Sequence, residues 1–543
     1  MKFASTILSL LFLVTLSTAL PSPQARLRRD GDSTSPSPQT RTMHGSGGNR
    51  SGAGSGATAT SAEASVTPAA DSARSRSAKV NTHGRTRSAT SEDASSTSQS
   101  ESSSRSGAPD STAHSGAPEA TSTSVSSTSS GTPESSSTAG APKPSSTSGS
   151  NSGSGAEADA VGAVYFTTND PSGNNIIVSS ISTNGNVTFT RAVSTGGHGE
   201  HGNDGASPGP DATFSNDLLV VHDGKRLLAA ANTGDSTVSL FEIDENDPTK
   251  LTMRGAPVDS QGDYPSSLTF NSAGDKLCVM NAGARATILC YNVASEGLQP
   301  QSSTLRNIPG YNQTEADPVG PSGTASAIAF TEDESILVVA VKGHAPPNST
   351  PGFLAAWPVE SDGGLAQNPT TIMNTGGQGL SFSLTPVPGK NAFVAADFDS
   401  TVDVFDLSGD LKDASANPAT TSTSIPGNFV LCWSTYSKTV DRYYLASPVS
   451  QLLVEVELDD KLKPSIIGTH PVLNGGANID LVAATANGKD FIFNLVGSTL
   501  DIAVLSIDGP GQTSLIGATN FGNVPDVTIT SNFVQGLAVY IKS

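Results

Sequence analysis

Cysteine is scarce in this sequence, with 3 residues among 543, and basic residues number only 30 against 50 acidic ones. So few cysteines exclude a small disulfide-scaffolded protein. The formal net charge of -20 argues against partners such as nucleic acids and anionic membranes, which attract basic patches. We therefore expect no nucleic-acid partner and attribute the acidity to solubility.

Long apolar runs are also rare. The one at the N-terminus follows Lys2, extends from residue 7 to 16 and is succeeded by small residues, which predicts a secretory signal peptide over residues 1–19. The pair Arg28-Arg29 resembles a dibasic processing site. No later run has membrane length and the C-terminus has no lipid-anchor tail. We expect a secreted protein, extracellular or wall-associated, without membrane insertion.

Residues 20–157 are rich in Ser, Thr, Gly, Ala and Pro and poor in large apolar side chains. Such a segment buries too little apolar surface to offset its conformational entropy, so it is predicted to be disordered. Ser/Thr/Pro tracts of secreted proteins are common sites of O-glycosylation. The alternatives are a glycosylated stalk and an unmodified flexible linker.

Residues 158–543 have a different sequence pattern, with short apolar runs separated by Gly, Asn, Asp or Pro about every ten residues. This rhythm predicts short antiparallel strands. A unit of about fifty residues repeats, which is the length of a propeller blade. Copies of the inner strand begin near Leu218, Ser267, Ala327, Ser381, Phe429 and Ile479.

Two incomplete units flank these six copies. Residues 163–193 supply three strands and lack the innermost, whereas residues 526–542 supply only an innermost strand. Joining them closes a ring of seven blades without an open sheet edge. The predicted fold is therefore an all-β, seven-bladed β-propeller preceded by a signal peptide and a long disordered Ser/Thr-rich segment.

Five motifs stand out in this region: Phe214-Ser215, Asn232 to Ser239, Cys278 to Gly283, Tyr311 to Thr314 and Val341-Lys342-Gly343. They resemble motifs of the lactonase-type seven-bladed propellers. The family includes bacterial 6-phosphogluconolactonases and fungal 3-carboxymuconate lactonizing enzymes, also called carboxymuconate cyclases, and the chain most resembles its secreted fungal branch. The resemblance covers the propeller and none of the stalk.

Cys278 and Cys290 are equally distant from a predicted hairpin turn centred on Ala284, which places them opposite each other. We expect a disulfide between them, since the secretory route is oxidising; two buried free thiols are the alternative. Cys432 is expected to be a buried unpaired thiol. Glycosylation sequons occur in the propeller at Asn186, Asn312 and Asn348, with a further one at Asn49 in the stalk.

Candidate functional residues belong to loops that cluster around one mouth of the central channel. They are His198, Glu200, His201, Arg285, Lys342 and Asp397. The first three could ligate a metal, but their spacing matches no strong template, so neither a metal nor a cofactor is expected. Asp397 more often caps a turn than acts as a base, and His470 in an outer strand is expected to be structural.

The resemblance also implies where catalytic residues would stand. Enzymes of the family carry a His-Pro-His segment, an Arg and a Glu; the matching positions here hold Tyr264-Pro265-Ser266, Ser326 and Lys342. The set needed for acid/base chemistry and carboxylate binding is thus absent. We expect a non-catalytic surface or wall glycoprotein, a monomer that binds an unknown small molecule or a wall or host ligand at the channel face. The alternative is an active lactonase or muconate-type cycloisomerase acting on a small carboxylated lactone.

Overall fold

The computed structural model describes residues 160–205, 208–344, 349–374, 379–409, 411, 419–427, 429–473 and 475–542. The predicted signal peptide, the stalk, and the sequons at Asn49 and Asn348 lie outside these residues. Within them, no helix has the length and apolar character needed to cross a membrane.

In the described part of the chain, twenty-nine strands form seven sheets, which we number as blades 1 to 7 in chain order. Blade 1 contains β1 (Ala160–Thr167), β2 (Asn175–Ser182), β3 (Val187–Ser194) and β29 (Gln535–Ile541). Blade 2 contains β4 (Leu219–His222), β5 (Leu227–Asn232), β6 (Thr237–Ile243), β7 (Leu251–Met253) and β8 (Val258–Asp259). Blade 3 contains β9 (Pro265–Phe270), β10 (Lys276–Asn281), β11 (Thr287–Ala294) and β12 (Gly297–Asn307).

The remaining four blades repeat the same order. Blade 4 contains β13 (Ala325–Phe330), β14 (Ile336–Val341), β15 (Phe353–Pro358) and β16 (Thr370–Met373). Blade 5 contains β17 (Thr385–Pro386), β18 (Ala392–Asp397), β19 (Thr401–Asp406) and β20 (Ala419–Ser424). Blade 6 contains β21 (Trp433–Ser437), β22 (Arg442–Ser447), β23 (Leu452–Leu458) and β24 (Pro464–Pro471). Blade 7 contains β25 (Asn478–Ala486), β26 (Lys489–Val496), β27 (Asp501–Ile507) and β28 (Thr513–Asn520).

The predicted seven-bladed ring is therefore confirmed, and its closure joins strands from the two ends of the propeller sequence. β29 pairs antiparallel with β1, from Gly162 opposite Ile541 to Phe166 opposite Leu537. One detail of the prediction was wrong: residues 526–530 form no strand, and the closing strand begins at Gln535. Asp526 adopts a left-handed φ of 63°, which fits the turns that precede β29.

Strand burial explains why some strands are continuous apolar runs and others contain many polar residues. The second strands of the blades are covered on both faces, so β14 is a continuous apolar run with every residue buried. The outermost strands border solvent, and β28 alternates mainly between exposed and half-buried residues. The apolar core is divided among the interfaces between adjacent blades. The inner strands surround the central channel and position their loops around its mouths.

Candidate functional site

The loops that enter the inner strands and those that join second to third strands lie on one face, which we call the entry face. Residues 213–216 cross the channel at this face, and we call them the plug. All four are buried, between 0% and 5% exposed. They hydrogen-bond to five other blades, through the carbonyl oxygens of Ser266, Ser326 and Phe382 and the side chains of Trp433 and Gln535. A segment with partners all around the ring closes the channel at this end.

Lys342 fastens the plug from blade 4. It follows β14 directly, and its side chain is almost completely buried. Its ammonium donates a hydrogen bond to the Phe214 carbonyl oxygen and lies 4.1 Å from the ring centroid of Phe382. Burial lowers the pKa of Lys342 to about 7, although the negative charge of Asp211 opposes this shift.

Asp211 stands just before the plug and holds it from the other side. Its carboxylate accepts a hydrogen bond from the Phe214 amide at 3.0 Å. Burial raises the pKa of Asp211 to about 6, while the positive charges of Lys342 and His201 act in the opposite direction. Asp211 and Lys342 therefore bind the amide and the carbonyl of the same plug residue.

Phe214 itself is held in an unusual conformation. Its φ is 55°, in the left-handed region that bulky residues rarely adopt. Its ring packs against Gly202 and Gly320 at positions where a Cβ atom would collide with it. Such a conformation costs about 1–3 kcal/mol and persists only where the surroundings enforce it, as the contacts of the plug do.

The three positions at which the family resemblance places catalytic residues all contact this segment. In the first, the Ser266 carbonyl oxygen accepts a hydrogen bond from the Ser215 hydroxyl at 2.7 Å, and the Tyr264 hydroxyl donates to the carbonyl oxygen of Ala212, just before the plug, at 2.8 Å. The Ser326 carbonyl oxygen accepts a hydrogen bond from the Asn216 amide at 2.8 Å. Lys342 holds the Phe214 carbonyl oxygen. Side chains and backbone at these positions thus stabilise the plug.

The other candidates of the entry face do not converge on the channel. His198 Nδ1 lies 3.2 Å from Asp235 Oδ2 in an exposed pair. The Arg285 guanidinium lies 2.6 Å from Asp263 Oδ1 and is also exposed, so both contacts lie at the solvent-exposed rim, where the ion pair of Arg285 has small energetic value.

His201 and Glu200 are used within the entry loop. The two ring nitrogens of His201 lie 2.6 Å and 2.9 Å from the carbonyl oxygens of Gly202 and Gly209. Glu200 accepts a hydrogen bond from the His201 amide. Among the described residues no group of three His, Cys, Asp or Glu side chains is placed to hold a metal ion.

Asp397 is fully buried at the end of β18, where its carboxylate accepts a hydrogen bond from the Asp399 amide at 2.8 Å. It therefore caps a turn. Burial raises the pKa of Asp397 to about 8, and the neighbouring Asp403 carboxylate raises it further. Asp397 also accepts a hydrogen bond from the Ser381 hydroxyl at 3.5 Å, and Ser381 immediately precedes Phe382, whose carbonyl oxygen accepts a hydrogen bond from the plug.

The remaining predicted positions are structural or peripheral. Cys278 and Cys290 are opposite partners on β10 and β11 and form a disulfide, and Cys432 is a free buried thiol. His470 in β24 lies 2.6 Å from the fully buried Glu455. Asn186 and Asn312 are exposed, as glycan acceptors need to be.

The family resemblance includes the motif Phe214-Ser215, but sequence reasoning did not predict that these residues cross the channel. It also missed the acidic residues beside them, Asp211, Asp217 and Asp480. Asp480 carries a clearer signal, because it interrupts the apolar run from Ile479 to Ala484 in an inner strand.

A scan against protein-family models finds no match, and a search of curated proteins finds no relative. Solved structures similar to this chain include a protein of Bacteroides fragilis provisionally described as a 6-phosphogluconolactonase, with 14% identity, a TM-score of 0.48, and coverage of 70% of this chain and 98% of that one. A periplasmic gluconolactonase of Pseudomonas aeruginosa has 12% identity, a TM-score of 0.49 and coverage of 70% and 99%.

A functionally unknown protein of Desulfotomaculum acetoxidans is similar to the same extent, with 11% identity, a TM-score of 0.48 and coverage of 70% and 99%. Likenesses at such identities concern the fold alone. The seven-bladed ring is shown by the sheets of this chain itself, and the fungal branch of the lactonase-type propellers stays a prediction.

Proposed function

We propose that this chain is a secreted glycoprotein whose lactonase-like propeller binds a ligand and does not catalyse the lactone chemistry of its enzyme relatives. One observation carries the proposal: the channel mouth is closed by the plug, and all three positions of the expected catalytic set contact it. A lactone substrate needs both an open cleft and a positioned acid/base group.

The experiment is an assay of the purified full chain with 6-phosphogluconolactone and with 3-carboxymuconate. We expect no turnover above the rate without protein. Turnover of either compound that is lost on Lys342→Ala would overturn the proposal, because it would make Lys342 a catalytic residue. Thermal unfolding of the variant checks that it is folded.

A gated enzyme is the second candidate, and a specific observation favours it. Burial lowers the pKa of Lys342 to about 7, so part of the amine is neutral at physiological pH and could act as a base if the plug moved away. Gly202→Ala tests this, since the added Cβ would press on the Phe214 ring. Turnover that emerges in Gly202→Ala and disappears in the double variant with Lys342→Ala would identify a gated enzyme.

Secretion is part of the proposal and rests on the N-terminal apolar run, the exposed sequons and the disulfide, which is typical of oxidising compartments. Expression of the full chain in a eukaryotic host should give a secreted product without residues 1–19. Its mass should fall after treatment with peptide N-glycosidase, and peptides containing Asn186 and Asn312 should carry the glycan. A product that stays intracellular with an intact N-terminus would contradict this part.

A further inference from the structure

Below the plug, the central channel forms a cavity of about 490 Å³, a size common among small-molecule sites. Its closed end is at Asn216 and Asp217, and its walls descend along the inner strands to the turns after β4, β9 and β13. The walls combine apolar side chains such as Val221, Leu268 and Val482 with polar ones such as Thr269 and Thr435. The cavity therefore opens on the face opposite to the entry face.

Two carboxylates occupy the closed end. Asp217 precedes β4 and Asp480 lies on β25, and both line the cavity. The Asp480 carboxylate accepts hydrogen bonds from the Leu481 and Leu537 amides, both at 2.8 Å. Asp217 differs, because within the part of the chain that the structure describes its carboxylate has neither a hydrogen-bond donor nor a cationic partner, and only its backbone carbonyl is bonded, to the Leu268 amide.

Neither carboxylate at this end has a cationic partner among the described residues. Burial raises the pKa of Asp217 to about 7, and Asp480 has its pKa raised well above its ordinary value by burial and then by the charge of Asp217. The other ionisable groups that line this cavity are His222, Glu332 and Glu334, near its open end. His222 accepts a hydrogen bond from the Lys225 amide and contacts the Ser272 carbonyl oxygen, so it supplies no countercharge to Asp217.

We propose that this cavity binds a small organic cation, an ammonium group on a compact apolar body, with the ammonium at Asp217 and Asp480 and the body against the apolar side chains of the walls. The site lies on the opposite side of the plug from the residues discussed under the proposed function. It does not depend on whether the entry face is catalytic.

An organic cation fits better than a divalent metal. Calcium takes six to eight oxygen ligands, whereas here one of the two carboxylates already accepts two amide hydrogen bonds. The apolar side chains of the walls cannot ligate a metal ion. Burying the hydrocarbon part of an organic cation against them is favourable. Asp217 and Asp480 offer carboxylate acceptors to the three N–H donors of an ammonium group, and a cation beside the half-buried Asp217 would give this carboxylate the partner that it lacks.

Binding of benzylammonium to the full chain, measured by calorimetry and ligand-observed NMR, tests the proposal, with benzyl alcohol as the neutral ligand of matched shape. We expect saturable binding of benzylammonium and binding of the alcohol that is at least roughly tenfold weaker, the usual effect of losing a charged hydrogen bond. Equal binding of the two ligands, no saturable binding of benzylammonium, or calcium bound in its place would overturn the assignment.

Two variants localise the site. Asp217→Asn removes the charge at constant shape, and Asn tolerates the left-handed φ of 61° at this position; we expect it to weaken benzylammonium binding roughly tenfold or more. Val482→Phe fills the cavity while retaining Asp217, and should abolish binding. Asp235→Asn, on the entry face, is the matched control. Unchanged binding in both Asp217→Asn and Val482→Phe, with each variant folded by thermal unfolding, would overturn the proposal.

Discussion

Buried ionisable side chains give this propeller its pH dependence, and Asp397 shows the principle most simply. Its carboxyl keeps a proton in the folded chain up to about pH 8, whereas in the unfolded chain it titrates near its ordinary value of 3.8. The folded state therefore binds more protons than the unfolded state between these two values. The free energy of unfolding consequently falls as pH rises from about 4 to about 8.

Asp397→Asn removes this dependence, because the amide stays neutral throughout. The free energy of unfolding of the variant, relative to that of the wild type, should therefore increase by roughly 3 kcal/mol or more from pH 5 to pH 8.5. Urea unfolding at both pH values measures the difference. Asp399→Asn, at an exposed neighbouring position, should follow the wild type, and equal pH slopes for Asp397→Asn and the wild type would contradict the assignment.

Lys342 is predicted to act on the plug and not on the ring as a whole. Lys342→Met retains the long apolar side chain but leaves the buried Phe214 carbonyl oxygen without its donor, at a cost of about 1–3 kcal/mol. Hydrogen exchange of the Phe214 and Asn216 amides should accelerate roughly tenfold or more. Lys438→Met, at an exposed position, should leave these amides unchanged. Faster exchange over all blades alike would show a structural role without specificity for the plug.

At the scale of single elements, the hairpin of β10 and β11 was the easiest to predict. Cys278 and Cys290 flank a short turn symmetrically, and the spacing alone sets the register in which they meet. The plug was the hardest, because its conformation depends on partners in five other blades, distant in sequence. No local pattern around Phe214 indicates that its carbonyl oxygen will receive Lys342.

The disulfide should stabilise this hairpin, since it closes a loop with a sequence separation of 12 residues. Loops of that length contribute about 3 kcal/mol. A reductant should therefore lower the urea midpoint of the wild type and leave that of the Cys278→Ala/Cys290→Ala variant unchanged. Equal sensitivity to the reductant in both proteins would assign the effect to another group, and Cys432→Ala is the control for the free thiol.

For the whole molecule, repetition in the sequence was sufficient to predict the ring and its number of blades. Each blade repeats the same order of apolar run and turn, and the two incomplete units could only complement each other. The exact closing strand was misplaced because residues 526–530 and residues 535–541 are both short and weakly patterned. The pairing with β1 distinguishes them, and that pairing joins residues from the two ends of the propeller sequence.

Closure by β29 should be essential for cooperative folding. Removing residues 533–543 from the full chain exposes the edge of β1 and the apolar side chains that β29 covers. We expect loss of the cooperative thermal transition and aggregation, whereas a deletion of equal length within residues 20–157 should leave the transition unchanged. A synthetic peptide of residues 533–543 should restore part of the lost stability. A truncated chain with the wild-type melting temperature would contradict this role.

The pairing of β1 with β29 has a consequence for biogenesis. A ribosome makes β1 first among the strands and β29 last, so at about 5–20 residues per second the inner edge of β1 waits roughly half a minute for its partner. β1 has the sequence AVGAVYFT, without a charge or a proline, and an open edge of this kind readily captures strands of neighbouring chains. A chaperone that shields this segment on the nascent chain would prevent such capture until the ring closes.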